Sequence, residues 1–337
     1  MNILLTSVGR RSYLVDYFKQ ALNGNGLVIG ANSDINTSAM QVVDKSYEVP
    51  YVNSDDYIPA ILDICKSENI GLVVSLFDID LPYLAKAKYK FDELGICLVV
   101  SNEKVVNIAN DKWETYNFLR ANQLPTPKTY KSIISFKEAL STNQISFPVI
   151  IKPRWGMGSL SVYKAENMED VTFFVSYCQR AIQSSYLNIL STQLEESVLI
   201  QQYITGKEFG IDVFNDLNTN RLVTVAKEKV AMRSGETDAA IVVDNSLIED
   251  LANNLGNKLG HIGNLDIDIL LDDLGNPYIL EFNARFGGGY PFSHLAGVNF
   301  PALLIQMAKG DELESKYLKY KVGVKGIKFI SPIKVNN

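Results

Sequence analysis

The sequence predicts an α/β fold in which a doubly wound parallel sheet is followed by a small lid and an antiparallel sheet. Short apolar runs alternate with amphipathic helical segments through the first hundred residues, which is typical of a parallel sheet with crossover helices. From residue 198 the pattern changes to long β runs that end in a hairpin. The predicted parts are residues 1–105, residues 106–205 with a lid from about residue 126, residues 206–312, and a C-terminal tail, 313–337.

The first part opens with an apolar strand, a glycine turn and an amphipathic helix. Predicted strands cover residues 2–8, 27–31, 71–76 and 97–100, with helices over 57–68 and 81–94. The carboxyl ends of parallel strands form the ligand crevice of such a sheet. We therefore expect ligand contacts from the residues at these ends, which are 7–11, 32–34 and 75–80.

The remaining elements follow from helical periodicity and from β runs. One long helix is predicted over residues 103–122, because Pro125 and Pro127 end the helical pattern. Further helices are predicted near 136–140 and over 170–183 and 248–259. Predicted strands are 148–151, 161–163, 198–204, 209–214, 222–230, 266–271 and 278–282. The basic stretch 316–334 predicts an edge strand or a cover on the core.

Composition excludes several classes of protein. A net charge of −6 argues against a broad nucleic-acid surface, which needs a basic excess. No apolar stretch approaches the roughly 20 residues of a membrane span, and the N-terminus lacks the pattern of a signal peptide. Three scattered cysteines and two histidines predict reduced thiols and no multi-histidine metal site. We expect a cytoplasmic protein with small-molecule partners, and the sequence leaves a homo-oligomer open.

The predicted C-terminal hairpin carries the strongest chemical pattern. Residues two apart on a strand share a face, so Glu281, Asn283 and Arg285 project together, and the turn brings Asp268 opposite Glu281. Two carboxylates and an amide oxygen suit Mg²⁺ that bridges phosphates, and a neighbouring arginine suits a transferring phosphoryl group. The alternative is a hairpin with solvated charges. The glycine run 287–289 that follows weighs against it.

Two weaker patterns indicate nucleotide contacts. An apolar strand delivers Lys152, and the following glycines allow backbone N–H groups to approach phosphates. The lysine precedes the glycines, so this is neither a Walker A motif nor GxGxxG, and a plain hairpin loop is the alternative. The strand that ends in Gln201 and Gln202 is followed by Gly206 and Glu208, which suits adenine and ribose. Alone, it predicts only an edge strand with a turn.

In this order, and with Asp111-Lys112 upstream, the three patterns resemble the ATP-grasp superfamily over residues 2 to about 310. The likeness is greatest to single-chain relatives of the carbamoyl-phosphate synthase large subunit and to carboxylate–amine ligases. It implies ATP and Mg²⁺ as cofactors, two Mg²⁺ ions being expected, with Mn²⁺ as a possible substitute. Asp268, Glu281 and Asn283 would hold the metal, and Arg285, Arg233 and Asn283 would act in catalysis. The implied nucleotide residues are Lys112, Lys152, Gly156, Gly158, Ser159, Gln201, Gln202, Ile204 and Glu208.

The resemblance implies an ADP-forming reaction through an acyl phosphate, with a lid that excludes water. Two departures from the family concern its nucleotide site: Gln201 replaces a common acid, and Leu160 and Ser161 replace glycine-containing positions. The neutral amide of Gln201 is compatible with adenine binding, because the strand would contact adenine through backbone atoms. The changed loop bears on lid closure, and therefore on rate, more than on nucleotide binding.

Substrate residues are expected in the first domain and after the hairpin. The candidates are Arg10, Arg11, Asp78 and Gly288. A strand-to-helix turn favours anions, which suits the arginines to a carboxylate, and a surface arginine pair is the alternative. Asp78 and Asp80 are placed to face an amine or to cap the next helix.

The carboxylate–amine ligase has two alternatives. One is an enzyme that phosphorylates carbamate or bicarbonate, as in half of a carbamoyl-phosphate synthase. The other is a non-catalytic nucleotide-binding subunit, against which the complete set of predicted metal and phosphate residues argues.

Overall fold

The structure, a computed structural model, describes residues 1–156, 161–185, 187 and 193–335. Its first sheet is parallel and has the strand order β3-β2-β1-β4-β5. The strands are β1 (Asn2–Thr6), β2 (Val28–Asn32), β3 (Lys45–Glu48), β4 (Ile70–Ser75) and β5 (Cys97–Val99). The helices are α1 (Ser12–Leu22), α2 (Tyr57–Ser67), α3 (Leu81–Lys86) and α4 (Lys88–Asp92). The predicted parallel sheet is confirmed.

Two details of this sheet differ from prediction. The single helix expected over residues 81–94 is two short helices, because the chain leaves helical geometry at Ala87, with φ −94° and ψ 4°. Strand β3 was not predicted. It is a mostly exposed edge strand, so the apolar run that marks a buried strand is missing from its sequence.

A helical linker leads to the second sheet. The predicted helix 103–122 is in fact α5 (Glu103–Asn110) followed by α6 (Lys112–Ala121). Asp111 lies between them in an extended conformation, and its side chain caps α6 by accepting from the N–H groups of Trp113 and Glu114. The cap places Lys112 at the first position of α6.

The second sheet is antiparallel with the order β6-β9-β7-β8. Its strands are β6 (Thr129–Tyr130), β7 (Val149–Pro153), β8 (Tyr163–Ala165) and β9 (Val198–Gln202), and α7 (Ile133–Ser141) and α8 (Met168–Gln183) pack on it. The strand expected at 161–163 begins later, because Ser161 adopts a left-handed turn conformation with φ 57°. Predicted phosphate-loop residues Gly158 and Ser159 lie outside the described residues.

The third sheet is antiparallel with the order β14-β13-β10-β11-β12-β15. Its strands are β10 (Gly206–Asn215), β11 (Arg221–Arg233), β12 (Glu236–Val243), β13 (Gly263–Asp272), β14 (Pro277–Asn283) and β15 (Lys325–Ile327). The helices are α9 (Ser246–Leu259), α10 (Tyr290–Ala296) and α11 (Phe300–Lys309). Strand β12 was missed, whereas β15 confirms the edge strand expected in the tail.

Apolar packing joins the first and third sheets. Phe214 of β10 stacks on Phe300 of α11 at 4.1 Å between ring centroids, and Phe286 packs in the same core beside Phe18 of α1. This packing brings the carboxyl ends of β1 and β4 close to the end of the β13–β14 hairpin. The boundaries of the four predicted parts stay a prediction. Within the described residues, no helix combines the length and apolarity that a membrane crossing requires.

Candidate active site

The β13–β14 hairpin places acidic and amide groups on one face. Asp268 is paired with Glu281, as its sequence pattern predicts, and Asp266 is paired with Asn283. Ile267, Ile269 and Phe282 lie in the core beneath α9. Because successive strand residues face opposite sides, the acids point away from that core.

Lys229 on β11 was not predicted as a site residue. Its Nζ lies 2.6 Å from Glu208 Oε1 and 2.7 Å from Asp268 Oδ1, so it joins the expected ribose acid to an expected metal ligand. Burial opposes the charge on Lys229, but Asp268 and Glu208 outweigh it and raise its pKa. Burial also raises the pKa of Asp268 to about 7, with Lys229 opposing. The only sequence signal was the repeat of lysines at 227 and 229 on one strand.

Two lysines approach Glu281 from the second sheet and the linker. Lys152, at the end of β7, is buried, which lowers its pKa to about 8 while Glu281 opposes the shift. Lys112 Nζ lies 3.7 Å from Glu281 Oε2 and also donates to the Gly156 carbonyl. Burial acts to raise the pKa of Glu281, but Lys112 and Lys152 outweigh it and hold that pKa below its usual value.

Arg154 fixes Lys112 against the end of β7. Its guanidinium contacts Asp111 through Nε at 2.8 Å and Nη2 at 2.7 Å, and the Lys112 N–H donates to the Arg154 carbonyl at 3.1 Å. Such a bidentate charge-assisted contact fixes the orientation of the guanidinium as well as its distance from the carboxylate. It holds both lysines at one end of a cavity.

That cavity, here called the nucleotide cavity, has a volume of about 300 Å³ and lies between the second and third sheets. The predicted residues that line it are Lys112, Lys152, Gly156, Gln201, Gln202, Ile204, Glu208, Asp268 and Glu281. The side chains of Gln201 and Gln202, which are expected to lie beside adenine, also make hydrogen bonds within the protein. Gln201 Nε2 donates to Thr129 Oγ1 at 2.9 Å, and Gln202 Oε1 accepts from the Lys128 N–H at 3.2 Å.

A second cavity, of about 80 Å³, lies on the other side of the hairpin acids and is called the acceptor cavity. The predicted residues that line it are Arg11, Asp268, Glu281, Asn283, Arg285 and Gly288. Asp268 and Glu281 therefore border both cavities. Arg11 Nη1 donates to the carbonyls of Leu76 at 2.7 Å and Phe286 at 2.8 Å.

Arg285 is a buried cation that lines the acceptor cavity. Its Nη2 lies 2.8 Å from Asp78 Oδ2, and its Nη1 lies 3.3 Å from Asp266 Oδ2. Burial opposes its charge, but the two aspartates outweigh burial and raise its pKa. The guanidinium is thus charged and fixed in orientation.

Three of the expected site residues, Arg233, Arg10 and Asp80, lie away from the two cavities. Arg233 pairs with Asp238 at the surface, and Arg10 is exposed; within the described residues neither lines the two cavities. The helix-capping alternative for Asp78 and Asp80 is wrong, because within the described residues Asp80 makes no cap hydrogen bond to α3 and Asp78 contacts Arg285. Asp80 is instead buried against the hydroxyls of Thr6, Ser75 and Tyr57, which also removes it as an amine contact.

The hairpin acids fit a divalent cation by their charge. Asp266, Glu208 and Glu281 each act to raise the pKa of Asp268, so the carboxylates repel one another, and a bound cation would relieve that repulsion. Within the described residues, no three histidine, cysteine or acidic side chains are grouped as a metal site on their own. The predicted metal ligands contain only two carboxylates, and the third ligand is the Asn283 amide. Their oxygen atoms are the donors that Mg²⁺ prefers.

Two sheets that enclose a cavity of this size, with lysines at one end and hairpin acids beside them, are typical of a nucleotide-binding enzyme. Residues 109–289 match the family described as ATP-grasp domain, and residues 3–99 match the PylC-like, N-terminal domain. The chain belongs to the ATP-grasp family. The predicted resemblance and the prediction of an ADP-forming ATP-grasp ligase are thereby confirmed.

Known proteins resemble this chain in sequence or in fold. A protein named carbamoyl-phosphate synthase from Methanobrevibacter smithii is 25% identical over 315 residues, which cover 90% of this chain and 80% of that protein. The L-amino acid ligase from Bacillus licheniformis has a TM-score of 0.72 at 19% identity, covering 99% of this chain and 81% of that one. The biotin carboxylase domain of Hydrogenobacter thermophilus 2-oxoglutarate carboxylase, solved as a dimer with MgADP and bicarbonate, has a TM-score of 0.73 at 17% identity, covering 95% of this chain and 72% of that one. These solved structures show the shared fold.

Proposed function

We propose that the chain is a ligase that joins a carboxylate to an amine through an acyl phosphate, with release of ADP. One observation carries the proposal: Asp268 and Glu281 border both the nucleotide cavity and the acceptor cavity. A γ-phosphate in the first cavity and a carboxylate in the second would therefore meet at these residues. Holding two reactants in contact is a large part of the catalytic effect in such reactions.

The chain's own residues supply charge and position. Lys152 and Lys112 would bind the phosphates, and Arg285, locked by Asp78 and Asp266, would face the transferring phosphoryl group without having to reorganise. Asp268, Glu281 and Asn283 would hold two magnesium ions, with manganese as a substitute. When bound, magnesium would supply positive charge that offsets the charge of the phosphates. In the reaction, a carboxylate oxygen attacks the γ-phosphorus as ADP leaves. The amine nitrogen then attacks the acyl carbon as phosphate leaves, and the proton that the nitrogen loses leaves with the phosphate.

The remaining expectations belong to the same proposal. Arg11 borders the acceptor cavity and would bind the substrate carboxylate beside Arg285, with Gly288 at its edge. A lid over about residues 126–205 would exclude water from the acyl phosphate. A cytoplasmic location, small-molecule partners and a homo-oligomer stay predictions.

The proposal is tested by ADP and phosphate release with Mg-ATP over arrayed carboxylic acids, with and without pooled amines. The blank is a double variant, Glu281→Ala with Asn283→Ala, and the matched control is Glu166→Ala at an exposed acid. We expect release that requires one acid and one amine, persists in the control and vanishes in the double variant. ADP release that ignores every acid, or that survives in the double variant, would contradict the proposal.

Phosphorylation of bicarbonate or carbamate is the second candidate, because the Methanobrevibacter relative is named carbamoyl-phosphate synthase. ADP release that depends on bicarbonate and needs no organic acid would favour it. ATP binding without ADP release in any mixture would instead favour a non-catalytic nucleotide-binding subunit.

A further inference from the structure

A third cavity, of about 340 Å³, opens at the carboxyl ends of the parallel sheet and is called the strand-end cavity. Among the described residues it shares no lining residue with the nucleotide or acceptor cavity. Its walls come from the ends of β1 and β2 and from the loops after β3 and β4. They are formed by Ser7, Gly9, Asn32, Ser33, residues 51–53, Phe77 and Ile79. Open parallel sheets bind ligands at this edge.

The lining of the strand-end cavity selects against charge. None of its nine described lining residues carries a charged side chain. A charged group that binds there would lose part of its hydration without gaining a counter-charge from the described lining residues, which is costly. The hydroxyl of Ser33 and the amide of Asn53 offer hydrogen bonds, and the lining includes the aromatic residues Tyr51 and Phe77.

One loop separates the strand-end cavity from the acceptor cavity. Phe77 and Ile79 line the first, whereas Asp78 between them binds Arg285, which lines the second. The preceding carbonyl, of Leu76, accepts from Arg11 at 2.7 Å. Two anchored contacts therefore hold this wall in place, and small-molecule sites are largely preformed in the same way.

We propose that the strand-end cavity is a binding site for an uncharged, amphipathic small molecule with an aromatic ring and a hydrogen-bonding substituent. Its volume, about 340 Å³ against about 300 Å³ for the nucleotide cavity, places it in the size range of small-molecule pockets. The ring lies against Tyr51 and Phe77, and the substituent reaches the hydroxyl and amide groups at the strand ends. The proposal does not depend on the ligase activity.

The test is a ligand-observed fluorine NMR titration of the full chain with four probes that share one ring. Neutral 4-fluorobenzamide and 4-fluorophenol are compared with charged 4-fluorobenzoate and 4-fluorobenzylammonium. We expect the neutral probes to bind at least about tenfold more tightly, because the charged ones lose hydration without a partner. Equal binding of all four probes, or no binding of the neutral ones at millimolar concentration, would overturn the proposal.

Variants locate the binding. Ser33→Trp places a large ring at the exposed rim and should abolish binding, and Tyr51→Ala, at a tyrosine 72% exposed, should weaken it about threefold or more. Tyr89→Ala removes another exposed tyrosine away from the cavity and should leave binding unchanged. Urea unfolding confirms that each variant folds. Binding that persists in folded Ser33→Trp would place the probe elsewhere and refute the assignment.

Discussion

Asp78 and Arg285 form a buried ion pair between residues 207 positions apart in the chain. Both the Nε and Nη2 atoms of Arg285 contact Asp78 Oδ2, at 3.0 and 2.8 Å. The loop after β4 in the first sheet is thereby tied to the end of the β13–β14 hairpin in the third. The pair positions the Arg285 guanidinium at the acceptor cavity, because Arg285 is buried and, within the described residues, its other carboxylate contact is Asp266.

Removing the Asp78 carboxylate should destabilise the fold. In Asp78→Ala, Arg285 keeps its charge but loses its nearer partner, and breaking a buried ion pair from one side costs about 3 kcal/mol. Urea unfolding would measure this loss in the free energy of unfolding. Glu166→Ala, which removes one partner of an exposed pair with Lys164, should leave the midpoint unchanged. Equal midpoints for Asp78→Ala and wild type would refute the prediction.

Lys152→Gln should weaken ATP binding. Lys152 is buried at the end of the nucleotide cavity, and a hydrogen bond to a charged group contributes about 1.5–3 kcal/mol, which corresponds to a Kd raised about 10- to 100-fold. Isothermal titration calorimetry with Mg-ATP measures the change. Lys207→Gln, at an exposed lysine on β10, serves as the control and should bind like wild type. A Kd within twofold of wild type for Lys152→Gln would exclude a phosphate contact.

His261 should make the fold sensitive to acid. Burial lowers its pKa from 6.5 to about 4, while its ring contacts the Val213 carbonyl at 3.1 Å. Between these values the unfolded chain binds a proton that the folded chain does not, so the free energy of unfolding falls as pH drops from about 6.5 towards 4. Between pH 7 and pH 4.5, we expect the free energy of unfolding of His261→Phe to fall by about 2 kcal/mol less than that of wild type. Urea unfolding at the two pH values measures this difference. Parallel losses in the two proteins would contradict a neutral buried histidine.

Local patterns predicted most elements of the fold. Continuous apolar runs marked β1, β2 and β4, because strands buried on both faces are apolar throughout. The break at Asp111 was missed, since the flanking segments share a helical pattern and the break depends on a side-chain cap. Strand β3 was missed for the opposite reason, because an exposed edge carries no apolar run.

The site was predictable where it lies on one hairpin and unpredictable where it depends on distant strands. Asp268 and Glu281 follow from strand alternation and a tight turn. The contact of Lys229 with Asp268 requires the order β13-β10-β11, which no local pattern specifies. The Asp78–Arg285 pair likewise depends on how the first and third sheets pack.

Gly287 should be intolerant of a side chain because of the space around it. A Cβ there would lie 2.1–2.2 Å from the carboxylate of Asp266, which is held by Arg285, whereas a Cβ on Gly288 would lie 3.5 Å from the nearest atom of Glu236, an ordinary contact. Neither glycine has a positive φ, so the difference between them is one of packing and not of backbone strain.

Gly287→Ala should therefore displace Asp266, disturb Arg285 and lower the free energy of unfolding by about 1–3 kcal/mol, the usual cost of overpacking. Gly288→Ala should unfold like wild type, and urea unfolding of both variants measures the difference. Adding Asp266→Ala to Gly287→Ala removes the clashing carboxylate, so the double variant should be less destabilised than the sum of the two single changes. Strict additivity would show that Gly287 and Asp266 do not compete for the same space.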